Sequence, residues 1–306
     1  MQPESDHSHN RPLLALGLRL AAALVLAGLL ACVKLASERG IHLAEIMFWR
    51  QLPTIPILLG WFALRRQLGT LKTARMGSHL RRSGFGMVGM TMNFGAATLL
   101  PLAVATTLNY SSAIFAVVLS ALVLREPTGV WRWSAVALGF TGVVVIAQPW
   151  GGELPLLGAA IALGAALMIA LISVQLRDLG RTEHPFTIVF YFSLFSVPVL
   201  ALAMPFVGQA HPLEDWLLLL ACGVIGLLGQ VLLTAALRYG MVANVIVMDY
   251  SGLVWATLFG WLVFSNLPPA SFWIGAPLVV GAGLLIAWRE HRLGLARRAL
   301  AEPKEA

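Results

Sequence analysis

The chain has 306 residues, 58% of them hydrophobic and 11% charged, with a formal net charge of +7 and a mean hydropathy of +0.81. A soluble domain carries about 25% charged residues; a chain this poor in charge could not cover its own surface in water, so the implied solvent is a lipid bilayer. The basic balance does not argue for nucleic acid, because cytoplasmic loops of membrane proteins collect Lys and Arg.

Met1 to Arg11 reads as a short polar tail in which His7 and His9 are solvated, and no metal or other cofactor is expected. A helix needs about 20 apolar residues to cross the ~30 Å hydrocarbon core, and ten such runs follow. The first five are Leu13–Ala36, Leu43–Leu64, Gly84–Leu100, Leu102–Leu124 and Trp131–Gln148. The other five are Leu154–Leu176, Phe186–Phe206, Trp216–Leu237, Ala243–Phe264 and Phe272–Trp288. The first run is too long for a signal-peptide core and is expected to be retained. Pro101 alone separates the third run from the fourth. The expected fold class is therefore an all-α membrane protein of ten transmembrane helices.

Orientation follows from the positive charges. With the amino terminus inside, Arg39 alone of the 21 Lys and Arg falls on the outer side, while Arg19, Lys34 and Arg50 fall within spans. All the rest are cytoplasmic. Both termini then face the cytoplasm of a cell inner membrane, with residues 291–306 as a basic tail. The longest loop, Arg65 to Arg82, is a basic linker suited to an anionic lipid surface. Cys32 and Cys222 lie inside apolar runs and read as small buried residues. Tryptophans 131, 133, 216, 273 and 288 fall near span ends, as an interfacial belt does.

The two halves repeat a layout. Ala96-Ala97 leads into Ala105-Thr106-Thr107-Leu108-Asn109-Tyr110-Ser111, as Ala235-Ala236 leads into Val245-Ile246-Val247-Met248-Asp249-Tyr250-Ser251. Leu124-Arg125-Glu126-Pro127 opposes Ser265-Asn266-Leu267-Pro268, and Trp131-Arg132-Trp133 with Gly139 and Gly142 opposes Phe272-Trp273 with Gly281 and Gly283. An odd number of spans per half reverses the second half. The expectation is two inverted five-helix repeats, 12–150 and 151–290, around a central cavity, as in many secondary transporters.

This pattern resembles the EamA-type family of the drug/metabolite transporter superfamily. The residues that carry the likeness are Lys34 with Glu45-Ile46-Met47-Phe48-Trp49-Arg50, Leu124-Arg125-Glu126-Pro127, Asp249-Tyr250-Ser251-Gly252-Leu253-Val254-Trp255 and Gly281-Ala282-Gly283-Leu284. The first hairpin also looks like that of the branch holding S-adenosylmethionine uptake carriers. The resemblance implies transport of small metabolites, often amino acids, through a cavity between the halves. Asn266 departs from it, standing where the family usually carries an acid matching Glu126.

Ionisable groups inside a bilayer cost several kcal/mol and each needs a reason. Lys34 and Glu45 flank the first outer hairpin, so an interfacial ion pair and an outer gate are both open readings. Arg50 lies about 7.5 Å deeper than Glu45 and about 140° around the helix. It needs carbonyls, an acid or a substrate carboxylate. Asp249 is the most deeply placed carboxylate, ~5 Å to the cytoplasmic side of its span's centre, with Asn109 as its counterpart. It suits proton coupling or an amine-bearing substrate, or else a fixed network with backbone or Arg50. Tyr110 and Tyr250 offer ring and hydroxyl beside these positions. Asn93 and Gln230, in equivalent spans, would line one cavity or act as interhelical glue, and Trp255 would stack on substrate or pack. Gln148, Gln175, Tyr191 and Asn244 are further polar positions.

No Walker loop, HExxH or nucleophile elbow occurs. The leading reading is thus a non-enzymatic secondary carrier of small organic molecules, with any coupling running on protons through Asp249 or Glu45. The alternative is an intramembrane enzyme acting on lipids or isoprenoids, which would need clustered carboxylates or histidines at one face. A monomer and a homodimer both fit, since the Gly and Ala of the spans allow close packing without demanding a partner.

Overall fold

The computed structural model describes residues 12–122, 129–151, 153–239 and 247–301. Glu126 and its neighbours Leu124, Arg125 and Pro127 lie outside that set, as do Asn244, Val245 and Ile246. No strand occurs among the described residues. The helices are α1 (Pro12–Glu38), α2 (Leu43–Gln51), α3 (Thr54–Leu64), α4 (Met76–Leu99), α5 (Leu102–Asn109), α6 (Ser112–Leu122), α7 (Val130–Ala147) and α8 (Leu156–Leu179). They continue as α9 (Pro185–Ala201), α10 (Met204–Val207), α11 (Leu213–Tyr239), α12 (Ser251–Phe264) and α13 (Ala270–Ala301).

Six stretches among the described residues are long and apolar enough to cross a membrane: Leu13–Glu38, Leu102–Leu122, Val130–Ala147, Leu156–Leu176, Leu213–Leu233 and Ala270–Arg289. The other expected runs depart from a single apolar helix for identifiable reasons. Leu43–Leu64 divides into α2 and α3 at Leu52-Pro53, where proline supplies no N–H to the helical ladder. The third run begins earlier than expected, at Met76, so its first two turns carry His79, Arg81 and Arg82. Phe186–Phe206 divides into α9 and the single turn α10. The described part of the ninth run begins as a short 3-10 turn, Val247–Tyr250, and continues as α12. Pro101 separates α4 from α5 as its position implied. Leu100 and Pro101 are extended, at ψ 160° and 137°, as the residue before a proline favours. α13 runs on to Ala301, into the segment read as a basic tail.

Packing pairs helices across the two halves of the chain. α1 lies on α11 and α12, α4 on α8 and α9, and α2 on α9 and α11. α5 meets α8 and α12, while α7 runs along α13. One core gathers Leu100, Val104, Leu108, Val143, Ile146, Ala162, Phe272 and Val279. A second gathers Leu29, Val33, Ile46, Met47, Phe94, Leu200, Leu219 and Cys222, with Cys32 packed against it. Small residues set the spacing, as in membrane bundles generally. At the α7–α13 seam, a Cβ on Gly142 would stand 2.7 Å from the Gly275 carbonyl oxygen, and one on Gly275 would stand 2.6 Å from that of Gly142. The periphery is apolar, with Leu122, Leu157, Phe206, Leu262 and Ile274 exposed. A soluble monomer rarely presents so much apolar surface. The five belt tryptophans are exposed as expected.

Candidate functional site

The two repeated Tyr-Ser motifs lie at interruptions of helix and meet each other. Between α5 and α6 the ladder tightens: Ser111 N–H donates to Leu108 O at 3.1 Å and Ala113 N–H to Tyr110 O at 3.2 Å. In the second half the 3-10 turn gives way to α12 at the same point of the motif. Tyr110 and Tyr250 share one backbone conformation, φ −65° and ψ −15° against φ −65° and ψ −18°. Their rings meet edge to face with centroids 4.9 Å apart. The Tyr110 hydroxyl donates to the backbone oxygen of Asp249 at 2.6 Å, so the first half's motif is tied directly to the second's.

Asp249 is not held by Arg50. Its carboxylate takes two hydrogen bonds from Arg19 on α1, Nε to Oδ1 at 2.5 Å and Nη2 to Oδ2 at 2.6 Å. Such bidentate Arg–carboxylate pairs are among the stronger polar contacts. Arg19 is the main residue that reasoning from the sequence missed. Its signal was present: it was one of three cations inside spans, and such a cation needs a named partner.

Asn109, the counterpart of Asp249, pairs instead with Asn93 of α4, Nδ2 to Oδ1 at 2.5 Å. Asn109 Oδ1, Thr106 Oγ1, Ser111 Oγ and the indole nitrogen of Trp255 are buried without a hydrogen-bond partner. Buried polar atoms are ordinarily satisfied; these four are among sixteen such side-chain atoms of the described residues, others lying on Gln51, His79, Arg82 and Ser193. Gln230 is half-buried on α11.

Arg50 is buried. Its Nη1 donates to Gln51 Oε1 at 2.8 Å and approaches Met90 Sδ at 3.2 Å, and the guanidinium lies over the Phe94 ring at 5.5 Å. Its Nε has no acceptor, and among the described residues it forms no ion pair with a carboxylate. Gly226 makes the niche: a Cβ there would stand 3.2 Å from Arg50 Nε.

Lys34 and Glu45 do not pair with each other. Lys34 Nζ donates to the Leu100 carbonyl at 2.8 Å and sits over Phe264 at 5.5 Å. The extended turn before Pro101 leaves that carbonyl outside the α4 ladder and available. Glu45 Oε1 meets His211 Nε2 at 2.9 Å, with both side chains buried. Each finds its partner in another segment, Lys34 at the end of α4 and Glu45 in the loop before α11. His211 was not singled out by the sequence, because it lies in a polar loop with no motif around it.

The EamA-like transporter family matches residues 13–148 and again 156–288. The chain belongs to the EamA-like transporter family. The pseudopaline exporter CntI of Pseudomonas aeruginosa is 34% identical over 264 residues, 84% of this chain and 90% of that one. A riboflavin transporter of Vibrio cholerae is 33% identical over 213 residues, covering 69% and 71%. The mouse solute carrier family 35 member G1 is 25% identical over 260 residues, covering 79% and 70%. None of these three names points to the S-adenosylmethionine branch. A crystal structure 20% identical to this chain superposes with a TM-score of 0.61 over 90% of it and 98% of the other, which speaks to fold. This EamA-like protein is a multi-span membrane transporter, like its bacterial relatives, and the enzyme alternative is not favoured.

Proposed function

We propose that the protein is a secondary carrier that moves small organic metabolites bearing an anionic group by alternating access of two inverted halves, 12–150 and 151–290. The observation that carries this reading is the meeting of Tyr110 and Tyr250 at equivalent helix interruptions. Interrupted helices in corresponding positions of two halves are where such carriers bind their cargo.

The packing supports the inverted arrangement. Number the runs one to ten, with α2–α3, α5–α6 and α9–α10 each counted as one. The contacts one–eight and three–six exchange when the halves are exchanged, as do one–nine with four–six and two–eight with three–seven. The contacts two–seven, four–nine and five–ten map onto themselves. Loop pairs agree with the orientation that places both termini in the cytoplasm. Arg39 meets Asp215 on the outer side in that orientation, and Arg75 meets Asp178 on the inner side.

Within this reading Arg50, a buried cation without a counter-charge, receives the anionic group of the cargo. Asn93, Asn109, Tyr110, Gln230, Tyr250 and Trp255 supply its polar and aromatic contacts. Asp249 with Arg19 closes the cytoplasmic side of the site, and Lys34 and Glu45 stand toward the outer side. Protons are the proposed coupling ion, with Asp249 and Glu45 as the candidate carriers; both carboxylates are paired in this conformer, Asp249 with Arg19 and Glu45 with His211. Riboflavin, named for one relative, belongs among the solutes to test together with amino acids. Reconstitution in liposomes with labelled amino acids and riboflavin, parent beside Arg50→Gln, tests the proposal. Flux of an anionic solute lost in Arg50→Gln is expected. Absence of any flux by a folded parent would overturn it.

A further inference from the structure

Away from the tyrosines, the described ion pairs, each between a loop or helix-end residue and a helix, sort into two sets, one at each end of the bundle. At one end Arg39 Nη1 meets Asp215 Oδ1 at 2.8 Å, and His211 Nε2 meets Glu45 Oε1 at 2.9 Å. Trp216 packs edge-on against both His211 and Trp49, at 5.4 and 5.1 Å. At the other end Arg75 pairs with Asp178, and His79 Nε2 stands 3.7 Å from Glu183 Oε2. There the ring of Tyr191 lies 4.6 Å from that of His79. Each end thus has an Arg–Asp pair, a His–Glu contact and aromatic rings against the histidine, and Arg39 also meets Glu214 at 3.4 Å.

Every one of these pairs joins the first half of the chain to the second. The arginine comes from the first half each time. The two His–Glu pairs run in opposite senses, Glu45 to His211 and His79 to Glu183. Both histidines and both glutamates are buried, with side-chain exposures of 6% and 1% at one end and 0% and 8% at the other. A surface ion pair contributes little, whereas a buried hydrogen-bonded one such as His211–Glu45 is costly to break; His79 and Glu183, 3.7 Å apart with no hydrogen bond between them, form the looser contact. These are contacts that separate only when the halves separate at that end.

The inner set also fastens the basic linker. Thr187 Oγ1 donates to Thr70 O at 3.0 Å, and Tyr191 OH to Leu71 O at 2.7 Å. Thr73 Oγ1 donates to Glu183 Oε1 at 2.6 Å. The linker expected to lie on lipid is therefore clasped to the ends of α8 and α9. His79 retains strain: both of its ring nitrogens are buried without a hydrogen bond. Burial pushes its protonation below the ordinary histidine range, with Glu183 opposing and Arg75 and Arg82 adding to the shift. A group so poorly satisfied is suited to a contact that opens.

We propose that these two sets are the alternate latches of the transport cycle, His79–Glu183 with Arg75–Asp178 closing the inner end and Glu45–His211 with Arg39–Asp215 closing the outer end. This rests on the carrier reading above. The two latches are coupled because they hold the same pair of bodies, so releasing one end favours closure of the other. Both are engaged in this conformer, which is an occluded one.

Hydrogen exchange of the full chain in lipid nanodiscs tests this without a substrate. Glu183→Gln with Arg75→Ala is expected to speed exchange several-fold in segments 68–79 and 178–187 and to slow it in 39–45 and 208–216. Glu45→Gln with Arg39→Ala is expected to do the reverse. The exchanged pair, His79→Glu with Glu183→His, should restore the parent pattern, which a fold defect would not. Faster exchange at both ends, or no change at the far end, overturns the latches. Flux measured on the parent in parallel separates this failure from failure of the carrier reading.

Discussion

The Arg19–Asp249 pair yields the prediction with the most defined magnitude. Opposite unit charges about 4 Å apart interact by about 4 kcal/mol at an effective dielectric of about 20. The two side chains differ in exposure, 11% for Arg19 and 35% for Asp249, so water screens the pair from one side. A coupling of about 2 kcal/mol remains, in line with a hydrogen bond to a charged group. The asymmetry predicts unequal single variants. Asp249→Asn leaves a nearly buried guanidinium without its counter-charge and should cost about 3 kcal/mol. Arg19→Gln leaves a carboxylate that can hydrate and should cost about 2 kcal/mol. The double variant should cost about 3 kcal/mol rather than the sum. Unfolding of purified protein in mixed micelles, run as a double-mutant cycle, measures all three. Additivity within about 0.5 kcal/mol, or the opposite order of the single variants, would refute the reasoning.

Other expectations follow from close contacts and from titration. Gly275→Ala drives a methyl to 2.5 Å from Ile146 Cγ1 and 2.6 Å from the Gly142 oxygen; overpacking of this kind costs about 1–3 kcal/mol, visible as a lower thermal midpoint. Gly283→Ala would place a Cβ 1.8 Å from the Tyr250 hydroxyl, so Tyr250 must leave its position against Tyr110. Flux should fall more than stability does, and equal losses would argue that Tyr250 only packs. For pH, the latched state holds His79 below the ordinary histidine value of about 6.5, so the latch favours the neutral ring. Its contribution is present above that value and is lost as pH falls through the lowered one. Exchange in 178–187 should therefore rise on mild acidification in the parent and not in His79→Gln, where the facing charges of Glu183, Arg75, Arg82 and Asp178 remain.

Much of this architecture was legible because bilayer solvent makes it so. Apolar run length located the helices, and Pro101 and the Tyr-Ser motifs marked interruptions that the backbone does contain. Pro53 was equally visible but was passed over, because an apolar run conceals a proline that only bends its helix. The buried polar groups were legible in the sequence, and their pairings were not. Lys34, Glu45, Arg50 and Asp249 were all recognised as groups needing partners. Yet Arg19, His211 and the Leu100 carbonyl are 230, 166 and 66 residues away from the groups they meet. Charge and periodicity within one helix carry no information about contacts of that range.

The repeat is most informative where it fails. Exchanging the halves carries Asn109 onto Asp249, and both interruptions share one tyrosine conformation. The residue before the tyrosine is nonetheless neutral in one half and charged in the other. The helix facing each follows suit. α1 offers Arg19 to Asp249, whereas α8, its equivalent, has no ionisable residue from Leu156 to Leu176, and Asn109 turns to Asn93. Breaking the charged pair costs more than breaking the amide pair, so on this account the cytoplasmic side of the site opens against the larger barrier. The latches are unequal in their own way, since Arg39 meets Glu214 as well as Asp215, and His211–Glu45 at 2.9 Å is closer than His79–Glu183 at 3.7 Å. On the proposed reading, the carboxylate of an anionic cargo that reaches Arg19 would compete with Asp249 for its guanidinium. Removing the competition by Asp249→Asn should make inward opening independent of cargo, and exchange in 178–187 measured with and without the transported solute reads that directly. If the solute still accelerates exchange in Asp249→Asn, the charged pair is not the element through which cargo opens the inner end.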